Sequence, residues 1–281
     1  FAPLSDVRYA VDRHLPSLTG HGIVGATRIE GRAWGVVRRE ERLDPLGELG
    51  APASVTTDTG SVGTRAQVDT APAPWLQVTS VASVRRDLLS GEPVRTVGRL
   101  GAEGVVHTDA VAASVALRGL RTGEDAWWLP RTGLRVTRGP WSMKGGIGQS
   151  VRVPDLTELF GDRGTLVGNP ELRAERGTGG DLSVALNGAS AGVELAGFAT
   201  RSDDRIVWER NAQGLARPAN VERARLLGAE AAARFDGGWL QLQSTATITR
   251  AEDRRNDLAY RGNQLPGIPW FEGWHRTALR G

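Results

Sequence analysis

The chain of 281 residues has no cysteine. That absence excludes a disulfide framework, a thiolate zinc site and a cysteine nucleophile. Lysine is nearly missing too: Lys144 stands alone, so almost all of the 35 basic residues are arginines. No run of about 18 apolar residues occurs, which excludes a transmembrane helix but not a transmembrane strand, since a strand needs only about 9–11 residues. Basic and acidic side chains nearly balance at a net charge of +3 and are interspersed along the chain. The pI of about 10.1 therefore reflects arginine set against few lysines and tyrosines, and no nucleic-acid partner is expected. No His-Glu-x-x-His pair is present, and Gly148-Gln149-Ser150-Val151-Arg152 lacks the second glycine of a nucleophile elbow. No catalytic constellation stands out, and the chain is not expected to be an enzyme or to hold a cofactor. The four histidines, His14, His21, His107 and His275, are scattered, whereas a metal site needs several convergent ligands.

What is present is alternation. Leu240, Leu242, Ala246 and Ile248 share one face of a strand, and Gln241, Gln243, Thr245, Thr247 and Thr249 share the other. Similar patterns predict strands at 64–70, from Trp75, over 105–118, from Trp127 to Arg138 and from Trp141. Further strands are expected over 181–186, 193–209 and 217–235, and a last one from Trp270. In the N-terminal part the pattern predicts strands at 4–13, 22–30 and 34–41, with a loop at 14–22. Short turns are expected at 31–33, 71–74, 139–140, 187–190 and 236–238. Long loops are expected at 43–60, 87–104, 153–177 and 251–269. Four of the short turns lead straight into tryptophan: Trp34, Trp75, Trp141 and Trp239. Short turns at one end, long loops at the other and aromatic girdles are the marks of an outer-membrane barrel. One-sided amphipathicity alone also fits a soluble β-sandwich.

The stretch from Ile147 to Asp181 is the most specific. A strand breaks at Val153-Pro154, a short helical turn follows over 155–160, and a charged glycine-rich loop leads to the next strand. Its residues Gly148, Ser150, Arg152, Pro154, Glu158, Leu159, Phe160, Gly161, Gly168, Asn169, Pro170, Leu172 and Glu175 fall in one order. That order resembles the mid-barrel signature of TonB-dependent outer-membrane receptors. Phe198, Asp204, Ile206 and Trp208, followed by Asn220, Ala224, Arg225, Gly228 and Glu230, resemble a second pattern of that family. Gly262-Asn263-Gln264-Leu265-Pro266 and Pro269 resemble a third, with Ile268 where arginine is usual.

The resemblance implies an all-β fold, an antiparallel up-and-down transmembrane barrel of roughly 22 strands closed by a plug. About twelve strands are counted here, so residues 1–281 would be part of the barrel domain, without the plug and the final strands. Phe1 is not an initiator and Leu279-Arg280-Gly281 falls within an expected strand, so the chain reads as an internal fragment. The implied function is active import, across the outer membrane of a Gram-negative bacterium, of a scarce bulky nutrient such as an iron-siderophore, cobalamin or haem. Implied partners are the TonB complex, acting through the plug, a small-molecule ligand such as a metal chelate, membrane lipid and lipopolysaccharide. A porin or secretion pore, and a soluble β-sandwich binding module, are the alternatives.

Candidate substrate contacts are Asp155, Glu158 and Arg163 in the central loop, with Asp162 beside them, and the pair Trp127-Trp128. Charged caps and turns equally well satisfy loop backbone, and paired tryptophans equally well form a girdle. Arg152, Glu158, Glu175 and Glu230 are read as a structural charge ladder on the lumen wall or against the plug, with Gly168-Asn169-Pro170 as turn chemistry.

Overall fold

The computed structural model describes residues 8–44, 53–90, 92, 94–162, 166–211, 214–255, 261–265 and 267–280. Alternating side chains, interrupted mainly by glycine-containing turns, leave the chain almost no option but extended strands. In order these are β1 (Arg8–His14), β2 (Ser17–Val24), β3 (Thr27–Asp44), β4 (Ala53–Ala73), β5 (Leu76–Leu89), β6 (Arg95–His107), β7 (Val111–Thr122), β8 (Asp125–Arg138) and β9 (Trp141–Arg152). After one helical turn, α1 (Leu156–Phe160), follow β10 (Glu175–Asn187), β11 (Ala191–Arg210), β12 (Ala216–Asp236), β13 (Leu240–Asp253) and β14 (Phe271–Leu279).

All fourteen strands belong to one antiparallel sheet, and from β3 onward each pairs with its neighbours in sequence. β2 pairs with the first half of β3 and β1 with the second half, so the two form one strand position broken at 15–16. Pro16 sits at the break; it lacks an N–H for the ladder, while its carbonyl still accepts from Gly35 N at 2.9 Å. Among the described residues β1 and β14 do not pair, so the sheet is not closed. A sandwich, one of the alternatives above, needs two sheets and is not what forms.

The register assigns each side chain to a face. Lys144, Ser183 and Glu194 lie together, with Lys144 Nζ 2.9 Å from Glu194. They define a polar face that continues through Glu230 and Thr247. The opposite face carries Ile147, Leu182, Leu195 and Ile248, each more than half exposed. No second layer covers them. The compact core is correspondingly small: Ala224, Ala251 and Leu265, with Leu226 and Ile268 against them.

The two ends of the sheet differ. Turns at 25–26, 74–75, 108–110, 139–140, 188–190 and 237–239 close one end. The connections at 153–174 and 254–270 lie at the other. Trp75, Trp141 and Trp239, all more than half exposed, stand at the short-turn end. Gly139, with φ of 57°, makes the tight reversal before Trp141 in a conformation that other residues seldom adopt.

Several expected boundaries move. The region 31–33 is not a turn; β3 runs through it, and the reversal is at Gly25-Ala26. Most of the expected loop at 14–22 is β2. Residues 87–104, read as a loop, hold the end of β5 and most of β6, and the expected loop at 43–60 gives way to β4 from Ala53. The cause is composition. In β6 Gly98, Gly101 and Gly104 blur the period-2 signal, and only pairing with β5 and β7 makes it a strand. The strand count is accordingly fourteen rather than about twelve.

Trp34 is corrected too. It lies inside β3 on the polar face and covers Gly63 of β4, where a Cβ would come within 2.5 Å of its ring. Gly63→Val in the full-length protein should therefore cost about 1–3 kcal/mol by overpacking. The expected readout is a lower temperature for loss of the compact, SDS-resistant form on gels. Adding Trp34→Leu should restore most of that loss; two simply additive losses would mean that the ring and the glycine are not in contact.

Candidate functional site

β9 leaves the sheet because Pro154 cannot donate to a ladder. Asp155 then caps α1: its side chain accepts from Glu158 N at 2.7 Å, and the Glu158 carboxylate accepts from Asp155 N at 2.9 Å. This reciprocal capping box satisfies two orphan donors of a helix of only five residues. The Glu158 side chain is almost buried, and Arg152 covers it, with Nη1 2.9 and 3.0 Å from its two oxygens. The other fork of Arg152 reaches Glu175, at 2.8 Å, on the first residue of β10. Glu175 also accepts from Ile206 N of β11 at 2.6 Å. One guanidinium thus joins the end of β9, the cap of α1, the start of β10 and, through Glu175, β11. The hydrogen bond to Glu175, ahead of that to Glu158, raises the pKa of Arg152 further above its ordinary value, so the link stays charged.

The second half of the loop is tied down by two asparagines. Asn169 donates to Pro218 O at 2.9 Å and accepts from Glu171 N and from Arg217, both at 3.1 Å. Asn220 accepts from Arg173 N at 2.9 Å and donates to Arg173 O at 3.0 Å and to Asp204 O at 2.6 Å. Asp204 has φ of 57°, a left-handed conformation that asparagine and aspartate tolerate best. Its carboxylate holds Arg173 at 2.6 Å. From the opposite side of the loop Arg95 of β6 donates to Pro154 O and pairs with Asp87 at 2.7 Å.

Between this loop and strands β6 to β8 lies a cavity of about 760 Å³, edged by Trp127, Leu156, Phe160, Pro170, Leu172 and Arg173. It offers an aromatic edge, apolar walls and charged side chains of both signs, among them the paired Arg173 and Asp204. Among the described residues no group of three or more His, Cys, Asp or Glu side chains is placed to hold a metal ion. The stretch Gly188-Ala189-Ser190-Ala191-Gly192 spells a nucleophile elbow, yet it forms the hairpin between β10 and β11 rather than a strand-to-helix turn.

The structure brings Arg152, Glu158 and Glu175 together as one cluster, with Asp155 bound into it. Glu230 stands apart on β12, 3.3 Å from Thr247. Arg163 lies outside the described residues. Asp162 bridges the backbone at Val167, and Gly168 donates to Gly161 O at 2.6 Å, closing the loop on itself. Trp127 and Trp128 point to opposite faces: Trp127 edges the cavity, while Trp128 is 59% exposed on the apolar face. Gly228 gives room to Phe198, whose ring would lie 2.2 Å from a Cβ there. Arg225 projects from the apolar face beyond Leu227. His14 and His21 lie on β1 and β2, not in one loop, and face different parts of β3.

Sequence reading missed Arg95 and Asp87, because both fell in a presumed loop, and Arg173 and Arg217, because no motif marks them. Replacing Arg152 by methionine should leave Glu158 and Glu175 uncompensated. The expected cost is about 1–3 kcal/mol, at the lower end because the Arg152 side chain is 44% exposed. Limited proteolysis of the full-length protein would report it as faster cleavage within 153–174, with the rest of the sheet unchanged. Unchanged protection would mean that the asparagine ties alone hold the loop.

Comparison with known proteins agrees with this geometry. Residues 22–270 match the family described as TonB dependent receptor-like, beta-barrel. No curated protein matches the chain in sequence. Among solved structures, the siderophore receptor PirA from Acinetobacter baumannii superposes with a TM-score of 0.77 at 15% identity, over 94% of this chain and 47% of that one. The copper transporter OprC gives 0.77 at 16% identity, over 98% and 51%. The FrpB iron transporter from Neisseria meningitidis (F5-1 variant) gives 0.68 at 13% identity, over 90% and 47%. The chain spans about half the length of these proteins, and at such identities the likeness is one of fold. With the family match covering most of its length, the chain belongs to the TonB-dependent receptor β-barrel family.

Proposed function

We propose that this chain forms wall of an outer-membrane importer that is energised through TonB and carries a scarce, bulky metal chelate, an iron-siderophore complex first among candidates. Family membership over residues 22–270 carries the reading. The cargo is favoured over cobalamin or haem because the similar structures are named for siderophore, copper or iron.

In this reading the apolar face meets the lipid of a Gram-negative outer membrane and the polar face lines the lumen. The end with the short turns faces the periplasm. Loop 153–174 faces outward, where Trp127 and Arg173 edge a cavity open to an arriving ligand. Asp155 and Glu158 are engaged in the capping box, so their role is to hold the rim in shape. The plug, through which TonB would act, and the strands completing a roughly 22-stranded barrel would come from the rest of the receptor. The cargo is moved, not transformed.

The test is uptake. The full-length protein, placed in the outer membrane of a strain lacking its own siderophore receptors, should accumulate radio-iron from at least one ferric siderophore of a chemically varied panel. That uptake should saturate and fall to background when TonB is deleted. Accumulation that is equal with and without TonB and linear in concentration would mean a passive pore.

A further inference from the structure

We propose that the cargo crosses the lumen along one side of the wall, a strip of nearly bare backbone on the polar face of β8 to β10. The inference rests on the importer reading above and assigns its passage to named strands. Gly133 of β8 pairs with Gly146 of β9, Gly148 pairs with Gly179 of β10, and Ser150 pairs with Gly177. Direct partners share a face and residues two apart stay on it, so all five glycines lie on the face of Lys144 and Ser183. The strip begins one pair below the Arg152–Glu175 link and runs to Asp181, the partner of Gly146. It continues the rim cavity, because Trp127, Leu129, Arg131 and Gly133 follow one another on this face of β8.

Elsewhere on the polar face of β3 to β13, among the described residues, glycines stand singly under longer side chains. Trp34 covers Gly63, Phe198 covers Gly228, and the stems of Arg118 and Arg234 lie at Gly101 and Gly192. In the strip, the space of a Cβ at Gly133, Gly177 and Gly179 is entered by the short hydroxyl side chains of Ser114, Ser150 and Thr200. Only Gly148 lies under a longer side chain, that of Arg131. A cavity of about 320 Å³ lies at Gly133 and Gly146, edged by Glu103, Ser114, Arg131, Arg135 and Asp181. None of those four charged side chains is in an ion pair among the described residues.

Glycine within a strand weakens it and marks places where a ligand or another backbone comes close. The two bodies that could come close here are the cargo and the plug, and continuity with the rim cavity favours the cargo. A path must also hold its cargo weakly enough to release it. Backbone and short hydroxyls offer a bulky chelate few dispersion contacts. Unpaired charges of both signs keep the strip hydrated without trapping a cargo of one sign.

The experiment uses the full-length receptor in cells and radio-iron on a panel siderophore that the parent imports. The 281 residues hold no cysteine, so a single introduced thiol is unique once any cysteine elsewhere in the receptor is replaced. Ser150→Cys and Asp181→Cys place it at the strip, and Gln67→Cys and Thr249→Cys place it on the same face of β4 and β13. Each variant is labelled with biotin maleimide during transport. Labelled strip variants should import several-fold more slowly with siderophore binding at the cell surface unchanged, and labelled controls should import as the parent does. Unchanged import by the strip variants overturns the proposal, as does equal slowing in the controls or slowing matched by lost surface binding. A strip thiol that the maleimide never reaches while the cells import means that the plug covers the strip throughout, which also overturns it. Should the cysteine variants fail to reach the outer membrane, Arg131→Trp adds bulk without a Cβ on any glycine. It should slow import several-fold, and import at the parent's rate overturns the proposal. A parent that imports nothing from the panel sinks the importer reading and the path with it, whereas an importing parent with unaffected strip variants sinks the path alone.

Discussion

A one-layer antiparallel sheet satisfies its backbone donors and acceptors only through the strands on either side, so every strand from β3 to β13 needs two partners. The same constraint leaves both faces of the sheet without a covering layer of secondary structure. In water, exposed Leu182, Leu195 and Ile248 would be a continuous apolar surface of the kind that marks an interaction site. In a bilayer that surface is the solvated one, and the paired ladder is what hydrocarbon demands of the backbone. The polar face, with Lys144, Glu194 and Glu230, then needs water or a plug beside it. Fold and medium are thus one problem.

The rim solves a different one. A long connection between strands carries backbone groups that no ladder serves, and loop 153–174 meets them with side chains. Arg152 alone ties together two strand ends and the cap of α1, while Asn169 and Asn220 fasten the return path to β12. The polar groups of these residues are engaged in contacts within the loop. What they position is the cavity edge at Trp127, Phe160 and Arg173. Phe160, Pro170 and Leu172 belong both to the motif and to the cavity edge, whereas Arg152, Glu158 and Glu175 serve the loop's own contacts.

Legibility followed the strength of local signal. β13, with clean alternation from Leu240 to Thr249, and the turn at Gly139-Pro140 could be read directly, as could the helical turn after Pro154, whose capping box is written in Asp155 and Glu158. β6 and β2 could not, because Gly98, Gly101 and Gly104 in the one and Gly20 and Gly22 in the other leave gaps in the period, and their strand state comes from neighbours that sequence does not place. Trp34 misled for a related reason: a tryptophan after a supposed turn suggests a girdle, but its place on the polar face depends on a register fixed by the true turn at Gly25.

Sequence by itself determined the class of this protein. Period-2 patterning and the spacing of turns pointed to a β protein, and the ordered loop motif, by its resemblance, pointed to the TonB-dependent receptors. Those features are local in the chain, and local chemistry suffices to specify strand, turn and cap. Tertiary structure alone decided what meets what: that Arg152 grips Glu158 and Glu175 but not Glu230, that Arg95 reaches Pro154 across 59 residues, that Trp127 and Trp128 part to opposite faces, and that Arg201 lies against Arg225. Cross-strand neighbours are set by register, and register is a property of the whole sheet, since shifting one strand by a single residue would turn every one of its side chains to the other face.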